Sequence, residues 1–172
     1  MINRAFIDDD NKLYDITYYH TPSRWINNLI DPSNPIANET MWSKEIKYMN
    51  DDNNDISDEI KNLPNNTGGI YIFFIKGLSL PFIEKYITYI GRCQYTDNQN
   101  IRKRAREYFT DDRDLIKRMF THWKAYLYYR YFPDTNNDNI RMNEAMLIKS
   151  IWPPFNLVIP DKIDIQKTTS AF

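Results

Sequence analysis

The side chains best suited to chemistry in this chain are tyrosines, arginines, a glutamate and an asparagine. Tyr71 closes the tripeptide Gly69-Ile70-Tyr71 and Tyr89 opens Tyr89-Ile90-Gly91. A basic run, Arg102-Lys103-Arg104-Ala105-Arg106, precedes Tyr108, and Glu144 and Asn156 lie further on. The chain has 2 histidines, His20 and His122, and 1 cysteine, Cys93. Zinc chemistry and Ser-His-Asp chemistry therefore find little support. No glycine loop of the phosphate-cradling kinds is present. The remaining types suit cleavage of a phosphodiester. Its dianionic transition state needs cationic donors, and arginine can bridge two phosphate oxygens. A carboxylate can hold a divalent ion beside the phosphate, and a tyrosine next to it can orient or deprotonate an attacking water.

Each of these residues also has a structural reading. Tyr71 and Tyr89 fall in strand-like sequence and could be core. The basic run could be one solvated helix face, yet a helix spreads consecutive residues around its axis. Arg104 and Tyr108 are four apart and share a face, which suits a joint role at a phosphate. Arg102 and Arg106 share another face and, with Lys103, are candidates for phosphate-backbone contacts. Glu144 stands among Met142, Ala145, Met146 and Leu147, and a glutamate near the apolar side of a helix is costly unless paired. A bound cation, or an ion pair with Arg104, resolves that cost. Asn156 is either a turn residue or a hydrogen-bonding support of the site. His122, beside Trp123, reads as structural.

The elements that must position these residues are legible in outline. Residues 69–76, GIYIFFIK, and 86–91, YITYIG, read as strands rich in Ile, Tyr and Phe. The stretch between them reads as an insertion at a hairpin tip. Residues 98–109 and 112–122 read as helices, the first capped by Asp97 or Asn98. Residues 124–132, KAYLYYRYF, read as a third strand, and 140–151 as a helix stopped by Pro153 and Pro154. The order is β-β-α-α-β-α. The expected fold class is α/β: a small, mostly antiparallel three-stranded sheet flanked by helices, with an N-terminal extension. The expected organisation is an N-terminal arm or small subdomain over 1–64, a catalytic domain over 65–158 and a tail over 159–172. Within the arm, Ile26-Asn27-Asn28-Leu29-Ile30 points to one or two helices, and the last residues to an extended tail.

Composition sets the outer bounds. The chain has 172 residues, 42% hydrophobic and 15% aromatic, with 13 tyrosines, which is enough for one domain with a real core. The net charge of -1 gives no global sign of a polyanion partner. Its distribution says more: residues 1–64 carry twelve acidic side chains against six basic, and the excess reverses in the remainder. A basic half can face a polyanion while the acidic part faces away. A lone cysteine allows no disulfide within the chain. The N-terminus lacks the apolar stretch of a secretory signal, and no apolar run is long enough to span a bilayer. A cytoplasmic protein with no membrane partner is the expectation.

Taken together, these motifs resemble the GIY-YIG nuclease superfamily. Gly69-Ile70-Tyr71 matches its first signature and Tyr89-Ile90-Gly91 its second. The stretch from Asn100 to Tyr108 is similar to the family's helix, with Arg104 at the catalytic arginine and Tyr108 at its His/Tyr position. Glu144 matches the family's metal-ligand glutamate, and Asn156, after Trp152-Pro153-Pro154-Phe155, its asparagine. The resemblance covers roughly residues 68–158. In two places the chain departs from the pattern. The stretch between Tyr71 and Tyr89 is longer than the usual hairpin, and Arg92 stands where related nucleases often have lysine. Charge is kept at Arg92, but a proton-shuttling role for a lysine is lost.

The resemblance implies a metal-dependent DNA endonuclease with Tyr71, Tyr89, Arg104, Tyr108, Glu144 and Asn156 in the active site. It implies one Mg²⁺ or Mn²⁺ per site, held by Glu144, and no nucleotide cofactor. Arg92, Arg102, Lys103 and Arg106 are the candidate nucleic-acid contacts. The plan of the chain is most similar to the restriction-enzyme branch, which implies double-stranded DNA and a homodimer on a palindromic site. The alternatives are a nuclease selecting branched or single-stranded DNA, and a DNA-binding module without cleavage. Recognition elements are expected among the 77–86 insertion, the 93–100 loop, the N-terminal arm and the tail after Asn156. The acidic arm is expected either on the back of the sheet or at a dimer contact.

Overall fold

A computed structural model describes residues 3–7, 13–16, 33–76, 85–151 and 153–156. The strands are β1 (Asn3–Ile7), β2 (Leu13–Ile16), β3 (Ile46–Lys47), β4 (Gly68–Lys76), β5 (Lys85–Cys93) and β6 (Leu127–Asp134). The α-helices are α1 (Asp58–Lys61), α2 (Ile101–Glu107), α3 (Asp114–Trp123) and α4 (Asn137–Ile151). Strands β1 and β2 pair antiparallel with each other. The main sheet has the order β3-β6-β4-β5, with every pairing antiparallel. Helices flank it on both faces, so the α/β expectation holds in coarse form. Among the described residues no helix is long and apolar enough to cross a membrane.

One expectation needs correction: among the described residues the sheet has four strands, not three. The fourth, Ile46–Lys47, comes from the segment expected to be an arm. Two residues carry no alternating pattern, so nothing in the sequence marks them as a strand. Tertiary hydrogen bonds make the strand, with Tyr48 N donating to Leu127 O at 2.9 Å and Ser43 N to Tyr131 O at 2.8 Å. Beyond it, Tyr48, Met49, Ile56, Ile60 and Leu63 are buried in the same core as Tyr71 and Phe73. The helices expected around residues 26–30, the 77–84 tip and the tail after Asn156 lie outside the described residues.

The pleat of β4 divides the core in two. Tyr71 and Phe73 face one layer, where they meet Ile101, Ala105 and Tyr108 of the α2 region and Ile116 and Met119 of α3. Ile70 and Ile72 face the other layer, with Ile140, Leu147 and Ile148 of α4. Alternation along a strand explains this division. A bulge at Thr88 interrupts the β4–β5 register between Phe73↔Tyr89 and Phe74↔Ile87, and the Thr88 hydroxyl donates to Phe73 O at 3.0 Å. Such a bulge re-aims the residues beside it.

Local signals set the helix ends. Asn100 caps α2, its Oδ1 accepting from Lys103 N at 3.0 Å. The expected cap at Asp97 or Asn98 falls instead inside a small turn closed by Thr96 and Gln99. Asn136 accepts from the backbone of Asp138 and Asn139 at the start of α4. On α3, Ile116, Met119 and Trp123 form the buried stripe expected of an amphipathic helix.

Candidate active site

The start of β4, the end of β5 and helices α2 and α4 bring the singled-out residues toward β5, from both faces of the sheet. On the α2 side, the hydroxyls of Tyr71 and Tyr108 are 2.7 Å apart. The Arg104 guanidinium spans both, with Nε donating to Tyr71 Oη at 3.1 Å and Nη2 to Tyr108 Oη at 3.2 Å. Its Nη1 donates to Glu107 Oε2 at 2.9 Å. The guanidinium carbon also lies 4.7 Å from the Tyr108 ring centroid, close enough for cation–π attraction.

The donor count constrains this cluster. Both phenol oxygens accept from Arg104, and one hydroxyl proton bridges the pair. One further hydroxyl proton remains to be donated elsewhere. Tyr71 and Tyr108 are each only 1% exposed, so this arrangement is set by packing. Burial holds both phenols well above their ordinary pKa, against the opposing pull of Arg104. Tyr71 therefore keeps its proton. Of the two roles expected for it, deprotonating water does not suit this environment, and its hydroxyl is turned to Tyr108 and Arg104 rather than to solvent. Tyr89 shares the same face, half-buried, with its ring 5.8 Å from that of Tyr108.

Gly91 is the register partner of Tyr71, and an added Cβ there would lie 2.6 Å from Tyr71 Oη. The second tripeptide ends in glycine because the first tyrosine's ring occupies the place of a side chain. Gly69 has φ 140°, and a Cβ there would come 2.0 Å from Phe132 O. Here the backbone conformation and the neighbouring strand both require glycine.

One residue beyond Gly91, the register turns Arg92 to the other face, opposite Ile70. There Nη1 of Arg92 donates to Glu144 Oε2 at 2.6 Å. The Glu144 side chain is 14% exposed and that of Arg92 38%. Burial raises the Glu144 carboxyl above its ordinary pKa, while Arg92, and Arg104 from across β5, oppose the rise. The ion pair that relieves the burial of Glu144 is thus with Arg92. The Arg104 pairing weighed from the sequence is not formed, because Arg104 is engaged by Glu107.

The remaining candidates have structural partners. The Asn156 amide accepts from Ile90 N at 2.8 Å and donates to Ile90 O at 2.7 Å. It mimics a neighbouring strand on the edge of the sheet and pins the middle of Tyr89-Ile90-Gly91. Arg102 Nε donates to Leu63 O, Arg106 Nη2 to Lys61 O at 2.5 Å and Lys103 Nζ to Asn98 O at 2.9 Å. The two arginines tie α2 to the chain leaving α1. All three also line a cleft of about 450 Å³ with Asn65, Asn100 and Glu107.

Sequence reasoning passed over Glu107 and Arg113. Glu107 accepts from Arg104 and also from Gln99, at 3.1 Å, so it fixes the guanidinium. Arg113 is held by Asp111 and lies 5.7 Å from the Tyr108 ring. The available signal for Glu107 was its position three after Arg104 on one helix. Arg113 had none, since it is brought in by a loop.

No family model, curated protein or solved structure matches this chain. Among the described residues no three His, Cys, Asp or Glu side chains come together as a metal cage. Glu144 offers a partly buried carboxylate beside Arg92. That suits a hard dication that takes one or two protein carboxylates and completes its shell with water and phosphate oxygens.

Proposed function

We propose that this chain is a metal-dependent DNA endonuclease of the GIY-YIG type, acting by hydrolysis of a phosphodiester. The observation that carries the reading is the Arg104 guanidinium donating to both Tyr71 and Tyr108, residues far apart in sequence. A planar fork held by two phenols and a carboxylate is preorganised to meet the charge that develops on a phosphate. Glu144 is the residue that would hold the cation. A bound Mg²⁺ or Mn²⁺ supplies polarisation of the phosphate and stabilisation of the leaving oxygen.

The other roles follow from the environments. Tyr71 and Tyr108, kept protonated by burial, orient Arg104 and leave one hydroxyl proton to donate. Tyr89, half-buried on the same face, is placed to hydrogen-bond an attacking water. Arg92 adds a second cation at β5. Asn156 fixes the strand that carries Tyr89 and Arg92. On this reading the plan is that of a restriction-type enzyme, cutting double-stranded DNA as a homodimer, since one site cuts one strand.

The test is incubation of a defined plasmid with the full chain and Mg²⁺, followed by sequencing of the ends. Discrete ends are expected, and Glu144→Ala and Arg104→Ala abolish them. A plasmid left intact by folded wild-type chain with Mg²⁺ or Mn²⁺ present overturns the reading. A smear in place of discrete bands replaces site-specific cleavage with structure- or strand-selective cleavage.

A further inference from the structure

The Arg92–Glu144 pair bears on when a cation can bind. A carboxylate oxygen 2.6 Å from a guanidinium already has its counter-charge. A dication placed on the same carboxylate would stand beside that guanidinium, and the two cations repel in a half-buried site. Arg92 also lines a cleft of about 630 Å³ along α4, with Arg141, Met142, Met146 and Lys149. Arg141, Lys149 and Arg92 make this cleft mainly cationic, although Asp138 lines it too and pairs with Arg141 at 2.5 Å. An anion entering there meets Arg92 directly and offers it a partner other than Glu144.

We infer that Arg92 is an exchangeable counter-ion: it closes the Glu144 carboxylate to cations in the free protein and releases it when a phosphodiester takes the guanidinium. Cation and phosphodiester then bind interdependently, each raising the affinity of the other by the same factor. This rests on the nuclease reading for the identity of the anion. The pairing, the cleft and the repulsion stand on the geometry alone. The arrangement keeps the cation from occupying the carboxylate until substrate is present. It also gives a reason for arginine after Tyr89-Ile90-Gly91, because a fork can hold a carboxylate and later a phosphate equally well.

The experiment measures Mn²⁺ binding to the full chain, by the loss of the free-ion resonance, with and without a mixed-sequence DNA duplex. Glu144→Gln with the same duplex corrects for ions bound by DNA. Wild type is expected to bind Mn²⁺ weakly alone and on the order of tenfold more tightly with duplex. Arg92→Gln is expected to bind Mn²⁺ on the order of tenfold more tightly than wild type without duplex, and to gain little from adding it. Arg92→Lys keeps the charge and binds as weakly as wild type, which separates counter-ion exchange from general loosening of the fold. Adding Glu144→Gln to Arg92→Gln abolishes the gain. Equal Mn²⁺ affinity of wild type and Arg92→Gln without duplex overturns the inference, as does a wild-type affinity that duplex leaves unchanged. If plasmid is cut but Arg92→Gln gains no Mn²⁺ affinity, only the exchange fails. If Arg92→Gln gains Mn²⁺ at Glu144 while wild type cuts no DNA, the exchange stands and the nuclease reading fails.

Discussion

On the α2 face of the sheet, Arg104 is gripped by Tyr71, Tyr108 and Glu107; on the α4 face, Arg92 and Glu144 meet in an ion pair at the rim. The two carboxylates have opposite environments. At Glu107, partial burial is outweighed by Arg104 and Gln99, and its pKa is lowered. At Glu144, burial outweighs Arg92 and Arg104, and its pKa is raised. One half holds its guanidinium through three side-chain acceptors, while in the other burial disfavours the charged form of a carboxylate that a single arginine pairs. On the proposed reading the first half is a fixed electrostatic frame and the second a group that changes partners.

The comparison predicts its largest effect at Arg104. Arg104→Ala lowers single-turnover cleavage by about 10²–10³-fold, the range for removal of a preorganised donor. Arg104→Lys restores little, since an ammonium cannot reach two phenols and a carboxylate at once. Wild-type rates in either variant would mean that the gripped half is only structural.

Gly91, between the halves, comes next. Gly91→Ala pushes a methyl into the Tyr71 ring end and lowers stability by about 1–3 kcal/mol in urea unfolding. Unchanged stability would show that the Tyr71 ring has room to move and that the β4–β5 pairing tolerates a side chain at this position.

The pH response separates the two carboxylates. Ionised Glu144 is the form that binds Arg92 or a cation, so cleavage rises with pH through a midpoint that burial of this carboxyl shifts upward. Arg92→Gln removes an opposing charge and moves that midpoint further up. For stability the signs differ. Glu107, with a lowered pKa, contributes stability that is present above its unfolded value and lost as pH falls through its folded one. Glu144, with a raised pKa, favours the fold when protonated, and its contribution declines as pH rises from the unfolded toward the folded value. Urea titrations of Glu107→Gln and Glu144→Gln across that range should show opposite slopes relative to wild type. Slopes of one sign would break the comparison.

The smallest effect lies beneath the gripped half. Among the described residues the buried Tyr129 hydroxyl has no hydrogen-bond partner, and its ring stacks on Tyr71 at 5.6 Å. Tyr129→Phe removes an unsatisfied polar group and raises stability by about 1 kcal/mol, read as an increase in Tm. A decrease would show that the hydroxyl supports Tyr71.

Much of the fold was legible because its signals are local. The strands over GIYIFFIK and YITYIG and the helix ending before Pro153 carry periodicity or aromatic content that survive in one dimension, whereas the helix expected over 98–109 was legible as a helix but not in its cap, which is Asn100 and not Asp97 or Asn98. The four-stranded sheet was not legible, because Ile46–Lys47 becomes a strand only through the backbone of β6. At the candidate site, the meeting of Arg104 with Tyr108 was readable from helical spacing, and motif singled out the Tyr71 that joins them. The partner of Glu144 was not. It follows from a one-residue step in the β4–β5 register that sends Arg92 to the opposite face from Tyr71.

The sequence by itself determined which chemistry the chain can attempt. Having few histidines and one thiol, and having tyrosine, arginine and glutamate in ordered motifs, are properties of composition and spacing that no folding changes. Tertiary structure alone decided the state of those groups. Burial sets which phenol keeps its proton, register sets which cation meets which carboxylate, and both depend on atoms distant in sequence becoming neighbours in a medium of low polarity. Charge pairing and desolvation act through space, so they are invisible until the chain has closed around them.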